Sequence, residues 1–207
     1  VAFRNLAKYK VQSIVSILGL AVGFVCFALS TLWIRYEMTY DTFHEGAERI
    51  YLVRAHYAHE PGKISNSTPY PLADYLQKGN PEIEAMASTS VQKVKFRVKD
   101  TEKDVVSATA DSVLMNFFNI RVLRGTVNFL KGTNGEIAIT EEFSKRIFGE
   151  EEALGREVEV SGHASKVGAI VSGWSSHSNI PYSILTSARH YTQWGSANEN
   201  LFVRIRK

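Results

Sequence analysis

From Ile14 to Ile34 the chain runs for 21 residues without a charge, then passes into a polar remainder. At about 1.5 Å per helical residue this run reaches roughly 31 Å, the thickness of a bilayer's hydrocarbon core, and it predicts a membrane-spanning helix over residues 13–37. The apolar stretch of a cleaved signal peptide is shorter, ~7–15 residues, and Phe24, Leu29, Trp33 and Ile34 carry this run well past that length. A buried helix in a soluble protein would need apolar partners all round, and the rest of the chain is too polar to surround it.

Beyond about Met38 the pattern alternates between strand and helix periods with no long low-complexity linker, which predicts an α+β domain over 38–207. Ile50 to Tyr57 is rich in β-branched and aromatic residues and reads as a first strand, ended by Pro61-Gly62. Pro69 and Pro71 stand where a helix can begin, and Leu72, Tyr75 and Leu76 continue at helical spacing up to Gly79-Asn80-Pro81. Val91, Val94, Phe96 and Val98 form one arm of a hairpin with a wet face, Asp100–Lys103 its turn, and Val105-Val106 the return. A capped short helix is predicted from Asp111 to Phe118, with Ile120–Leu123 turning away at Arg124-Gly125.

After the turn-rich stretch Lys131–Gly135, Ile137–Ile139 reads as a buried strand. Thr140 then caps a helix with Glu141 and Glu142 in its first turn, Lys145 and Arg146 near its end and Gly149 just past it, all in the sense its dipole favours. Phe143 and Ile147 mark its core face. Residues 157–160 and 166–171 form a second hairpin about Ser161-Gly162-His163, and Leu201–Ile205 is a closing strand.

Charge sharpens the membrane reading. Arg4, Lys8 and Lys10 precede the span, while Arg35 is followed by Glu37 and Asp41, so the bias of basic residues toward the cytoplasm puts the amino end inside, residues 1–12 as a cytoplasmic or interfacial segment, and the domain outside. Setting aside Arg4, Lys8, Lys10 and Arg35 from the 24 cations and Glu37 from the 21 acids leaves 20 of each. The net +3 therefore belongs to the membrane flank, which fits anionic lipid heads and argues against a nucleic-acid reader. Trp33, Tyr36 and Tyr40 suit the outer interface. Cys26, the one cysteine, lies mid-span, so no intramolecular disulfide forms. Within the span Ser16, Gly19, Gly23 and Ser30 fall on one helical face, and Gly19-Leu20-Ala21-Val22-Gly23 lets a second helix backbone approach closely.

Four blocks resemble the first membrane helix and extracytoplasmic core domain of MacB/FtsX-type ABC transporter permeases. Phe3–Leu6 with Ser16–Gly23 is similar to the entry into the first span, and Glu37–His44 with Arg49-Ile50-Tyr51 to the exit into the first outer strand. Ala110-Asp111-Ser112, Phe117-Phe118 and Leu123-Arg124-Gly125 resemble the middle block; Ile139–Glu141, Arg146–Gly149, Leu154–Arg156 and Val158 resemble the next. Where relatives commonly carry an Asp-x-Pro element, this chain has Gly173-Trp174-Ser175-Ser176-His177-Ser178-Asn179, which implies a rebuilt loop.

The resemblance implies a bacterial inner-membrane permease fragment whose first residue is Val, not Met, and which three further helices would complete after Lys207. It further implies a cytoplasmic ABC ATPase on another polypeptide or domain, assembly as a homodimer or as paired permease repeats, and use of the outer domain to expel a substrate or act on a periplasmic partner protein. No cofactor is expected. The chain has no phosphate loop, since Gly132-Thr133-Asn134-Gly135 lacks the Lys-Ser/Thr ending, and no ATP hydrolysis of its own is expected.

Other chemistry is weak. His56 and His59 beside Glu60 stand on opposite faces of a strand, which disfavours a metal site, and Ser176-His177-Ser178 lacks an orienting carboxylate by adjacency. Glu150-Glu151-Glu152 reads as a solvated run and Asn66-Ser67-Thr68 as a polar loop. The competing class is a single-span receptor or sensor with an extracytoplasmic ligand domain, for which Tyr51, Trp174 and Trp194 are the pocket candidates.

Overall fold

The uncharged run is one helix, α1 (Lys10–Met38), in a computed structural model that describes residues 10–58, 61–99, 101–174, 177–189, 191–195, 197–198 and 200–206. It is the only described helix long and apolar enough to cross a membrane, and none of its residues is buried. Arg4 and Lys8 lie outside the described residues, and Lys10 is the first residue of α1. The chain divides into two units, one up to Tyr40 and one from Asp41 onward.

The second unit contains β1 (Ile50–Val53), β2 (Ala55–His56), β3 (Ile64–Ser65), β4 (Thr68–Pro69), α2 (Leu72–Gly79), β5 (Ile83–Thr89), β6 (Val91–Val98), β7 (Thr101–Ala110), α3 (Ser112–Phe117) and β8 (Val122–Gly125). It continues with β9 (Glu136–Thr140), α4 (Glu141–Phe148), β10 (Glu157–Val160), β11 (His163–Val171), β12 (Ile184–Ser187), β13 (Ala197–Asn198) and β14 (Asn200–Ile205).

Three strands, in the order β1-β14-β5, make an antiparallel sheet. The larger sheet runs β10-β6-β7-β12-β9-β11-β8, and a further pairing of β10 with β11 closes six of its strands into a ring. This is a small barrel. Strand β8 pairs with β11 at Ala169–Val171, beyond the Lys166–His163 stretch that β10 takes.

Strand alternation explains the two cores. Inward residues of the barrel, among them Phe96, Val105, Ile139, Val158, Val167 and Ile184, pack with Phe143 of α4, whose ring meets Phe96 edge-on at 5.0 Å and closes that end. Residues of opposite parity, Ala108, Ala138, Ala169 and Leu185, face a second core with α3, Phe129 and Phe202. The helices begin where their caps dictate: Asp111 accepts from Leu114 N at 2.7 Å, and Thr140 Oγ1 accepts from Phe143 N at 3.2 Å.

Several predicted boundaries move. The first strand breaks at Arg54 into β1 and β2, and Pro69 lies in β4, paired with Ala197, rather than at a helix start. The first hairpin's turn is tighter than Asp100–Lys103: Val98 pairs with Thr101, and Lys99 takes φ +51°, the left-handed geometry that two-residue hairpin loops require. Arg124-Gly125 is strand, not turn, and Gly125 is there because a Cβ would strike the Gly168 carbonyl oxygen on β11. Strands β5 and β12 have no counterpart in the hydrophobic pattern.

Candidate functional site

The chain enters the domain through a pinned residue. Asp41 follows the end of α1 by three positions and adopts φ +56°, a conformation that short polar side chains tolerate. Its carboxylate accepts from Ser178 Oγ at 2.5 Å, from Asn179 Nδ2 at 2.8 Å and from Asn179 N at 3.2 Å. Its own N–H donates to the His177 carbonyl at 3.2 Å. A string of turns then carries the chain to β1, with His44 N donating to Asp41 O, Ala47 N to His44 O and Arg49 N to Gly46 O.

Behind Asp41 lies an aromatic cluster. The His44 ring sits 4.8 Å from both Phe118 and Trp174, Trp174 lies 4.9 Å from Tyr182, and Phe118 lies 5.2 Å from Phe202 on β14. Burial holds the His44 imidazole below its ordinary pKa, with Asp41 pulling weakly the other way, so neutral His44 is the favoured form in this packing. Burial also pushes the Tyr182 hydroxyl well up, and that hydroxyl donates to Ser172 O at 2.8 Å. The entry segment, Trp174 and Tyr182 thus share one packed surface.

A second fastening follows at the end of the turns. Arg49 Nη1 donates to Glu84 Oε2 at 2.7 Å and to the Ile205 carbonyl at 3.0 Å, so one guanidinium ties the start of β1 to β5 and β14. Arg204 lies over the Phe117 ring at 4.5 Å, donates to the Phe117 carbonyl and reaches Glu84 Oε1 at 3.7 Å. The Arg49 hydrogen bond and the charges of both arginines hold Glu84 below the usual carboxylate range.

The residues read from sequence are scattered. Ser16, Gly19, Gly23 and Ser30 lie along α1, and open space surrounds both glycine Cα atoms. Trp33 and Tyr36 are exposed near its end with ring centroids 6.3 Å apart, beside Arg35. Tyr51 is exposed on β1, Trp174 is packed in the aromatic cluster, and Trp194 is exposed 6.1 Å from Tyr75, so the three do not form one pocket. His59, Glu60 and Ser176 lie outside the described residues, among which no cluster of metal-ligating side chains occurs. Glu151 pairs with Arg156 at 2.7 Å and Glu152 with Arg124 at 3.0 Å, so that run is a set of ion pairs rather than a merely solvated face. Thr68 of Asn66-Ser67-Thr68 is fully buried in β4, which corrects the polar-loop reading at that residue. The Asp41 cradle escaped sequence reasoning because its side-chain donors lie 137 and 138 residues away along the chain.

An apolar helix long enough to span a bilayer, leading into an α+β domain that grips the incoming chain at its first residue, is the arrangement of a membrane-tethered domain. The sequence matches the MacB-like periplasmic core domain over residues 13–207, and the chain belongs to that family. No curated protein sequence matches it. Among solved structures, the fold is similar to a domain of a putative permease from Porphyromonas gingivalis, with TM-score 0.65, 18% identity and coverage of 79% of this chain and 77% of that one. It is also similar to the extracellular domain of the noncanonic ABC-type transporter YknZ from Gram-positive bacteria, with TM-score 0.56, 16% identity and coverage of 76% and 82%. The periplasmic region of MacB from Actinobacillus actinomycetemcomitans gives TM-score 0.55, 15% identity and coverage of 75% and 73%.

Proposed function

We propose that this chain is part of an ABC transporter permease in which ATP hydrolysis by a separate cytoplasmic ATPase moves the extracytoplasmic domain, for export or for mechanical action on a periplasmic partner. In this reading α1 is retained in a bacterial inner membrane, with the amino end cytoplasmic by its Arg4, Lys8 and Lys10 flank and the domain periplasmic. The chain itself performs no catalysis. A second permease copy or repeat packs against the face carrying Ser16, Gly19, Gly23 and Ser30.

The observation that carries the reading is the grip on Asp41. A displacement delivered along the chain at residue 41 meets four hydrogen bonds to residues 177–179 and the aromatic cluster behind them, so on the domain's side it is passed on without slack. The three aromatics on which a sensor reading relied, Tyr51, Trp174 and Trp194, stand apart and line no common pocket.

The test is copurification of the complete permease with an ATPase, followed by turnover measurements on the Gly19→Leu/Gly23→Leu variant. Copurification with permease-stimulated turnover that falls in the variant supports the reading. An ATPase that neither binds nor responds to the permease contradicts it, whereas unchanged stimulation in the variant removes only the two glycines from the coupling.

A further inference from the structure

The barrel is stoppered at one end and open at the other. Phe143 and Phe96 fill the α4 end, but among the described residues no α-helix covers the end where β9 and β11 begin and β12 finishes, and a cavity of about 560 Å³ opens there. That volume is in the range of small-molecule sites. Its floor is apolar, made by Val94, Ile137 and Val160, which belong to the buried barrel core. Above the floor, the same inward parity that places valine and isoleucine in the core places Gln92, Ser107, Ser165 and Thr186 as a polar collar. Among the described residues, no hydrogen bond engages the hydroxyls of Ser107, Ser165 or Thr186, although Ser107 is only 1% exposed.

The rim is basic and aromatic. Arg189 and His163 stand at the mouth, and Tyr70 meets Tyr191 edge-on at 5.1 Å. Arg189 makes no ion pair with any described residue. Among the described residues no carboxylate lines this cavity; Glu136 lines the adjoining one of about 630 Å³, which shares Arg189, Thr186 and Ser165, together with Lys131, and its side chain is turned toward Gly168. An unpaired guanidinium over unengaged hydroxyls and an apolar floor suits an anionic head on a short apolar body, and a carboxylate is the head that matches the planar fork with the smallest charge.

We propose that the open end of this barrel binds such a carboxylate, with Arg189 and the Thr186 and Ser165 hydroxyls on the head and Val94, Ile137 and Val160 on the apolar end. The group could be a free organic acid or the carboxyl-terminal residue of a peptide, which present the same atoms to the collar. The assignment is independent of any coupling to an ATPase.

The test is calorimetric titration of the full chain in lipid nanodiscs with hexanoate, hexanamide, and the tetrapeptide Gly-Gly-Ala-Leu with a free or an amidated carboxyl end. The proposal expects saturable binding of hexanoate or of the free peptide, at least fivefold weaker binding of the matching amide, and loss of that discrimination in Arg189→Gln, an exposed position whose change does not load the fold. Hexanoate without the peptide identifies a free acid, and the reverse identifies a chain terminus. Thr186→Trp, which fills the mouth, should abolish binding while leaving the thermal midpoint within a few degrees. Absence of saturable binding by both carboxylates, equal binding of acid and amide, or binding indifferent to both Arg189→Gln and Thr186→Trp would overturn it.

Discussion

Asp41 and Ser178 are joined by a 2.5 Å hydrogen bond across 137 residues of chain, so the segment that leaves α1 and a loop late in the domain are locked to each other. Asp41→Ala removes every side-chain acceptor in that lock and leaves Asn179 donors to find water. The expected cost is about 1–3 kcal/mol, and a shift of roughly 2–4 °C per kcal/mol is expected for a domain of this size. Thermal unfolding followed by circular dichroism checks it, and Asp41→Asn, which keeps one carbonyl acceptor, should fall between the two.

His44 supplies a pH dependence of known sign. Because its folded-state pKa lies below the ordinary value of 6.5, the unfolded chain binds the proton more readily, and the stability it contributes is full above about pH 6.5 and is lost as pH falls through the folded value. His44→Phe keeps a ring between Phe118 and Trp174 without the titration. Urea midpoints measured from pH 7.5 to pH 5 should fall more steeply for the natural protein than for the variant; parallel curves would mean that His44 titrates as freely in the fold as outside it.

Glu84 acts at lower pH. Held down first by its hydrogen bond from Arg49, it favours the folded state above its ordinary pKa of 4.5 and loses that contribution as pH drops through the depressed value. The difference in thermal midpoint between the natural protein and Glu84→Gln should therefore be largest near neutrality and shrink on acidification below about pH 4.5.

Gly125 tolerates no side chain. At φ +88° an L-residue is strained, and its Cβ would strike the Gly168 carbonyl oxygen, backbone that the β8–β11 pairing holds in place, as well as the Leu154 Cδ1 side-chain atom at 2.8 Å. Gly125→Ala should cost at least about 2 kcal/mol, read as a lower urea midpoint. Gly162→Ala, at φ +83° but with open space around it, carries only the conformational part and should cost less.

The legible parts of this fold are those whose signal is local. The uncharged span, the Thr140 cap with its acidic first turn, and the Asp111 cap each depend on residues within a few positions, and each stands where its pattern predicts. Strand β5 was hidden because Glu84 and Ser88 interrupt its apolar run while Met86 and Ala87 are both buried, one on each side of the strand. Strand β12 is four residues long, between prolyl and basic segments, and owes its form to β7 and β9 on either side. Barrel closure likewise depends on β10 meeting β6 and β11 at once, a relation no single stretch of sequence contains. The Asp41 cradle is of this kind too, since neither Asp41 nor Ser178-Asn179 carries a motif by itself.

The central claim, that nucleotide-driven motion is delivered to this domain through its grip on Asp41, is tested by electron–electron distance measurement between spin labels on two copies of the complete permease. Cys26 is replaced by serine, a label is placed at exposed Lys103, and the permease is reconstituted with its ATPase. The account predicts that ATP shifts the inter-label distance distribution, and that Asp41→Ala diminishes the shift while ATP turnover persists. An unshifted distribution in the natural protein during turnover, or a full shift in Asp41→Ala, would contradict it.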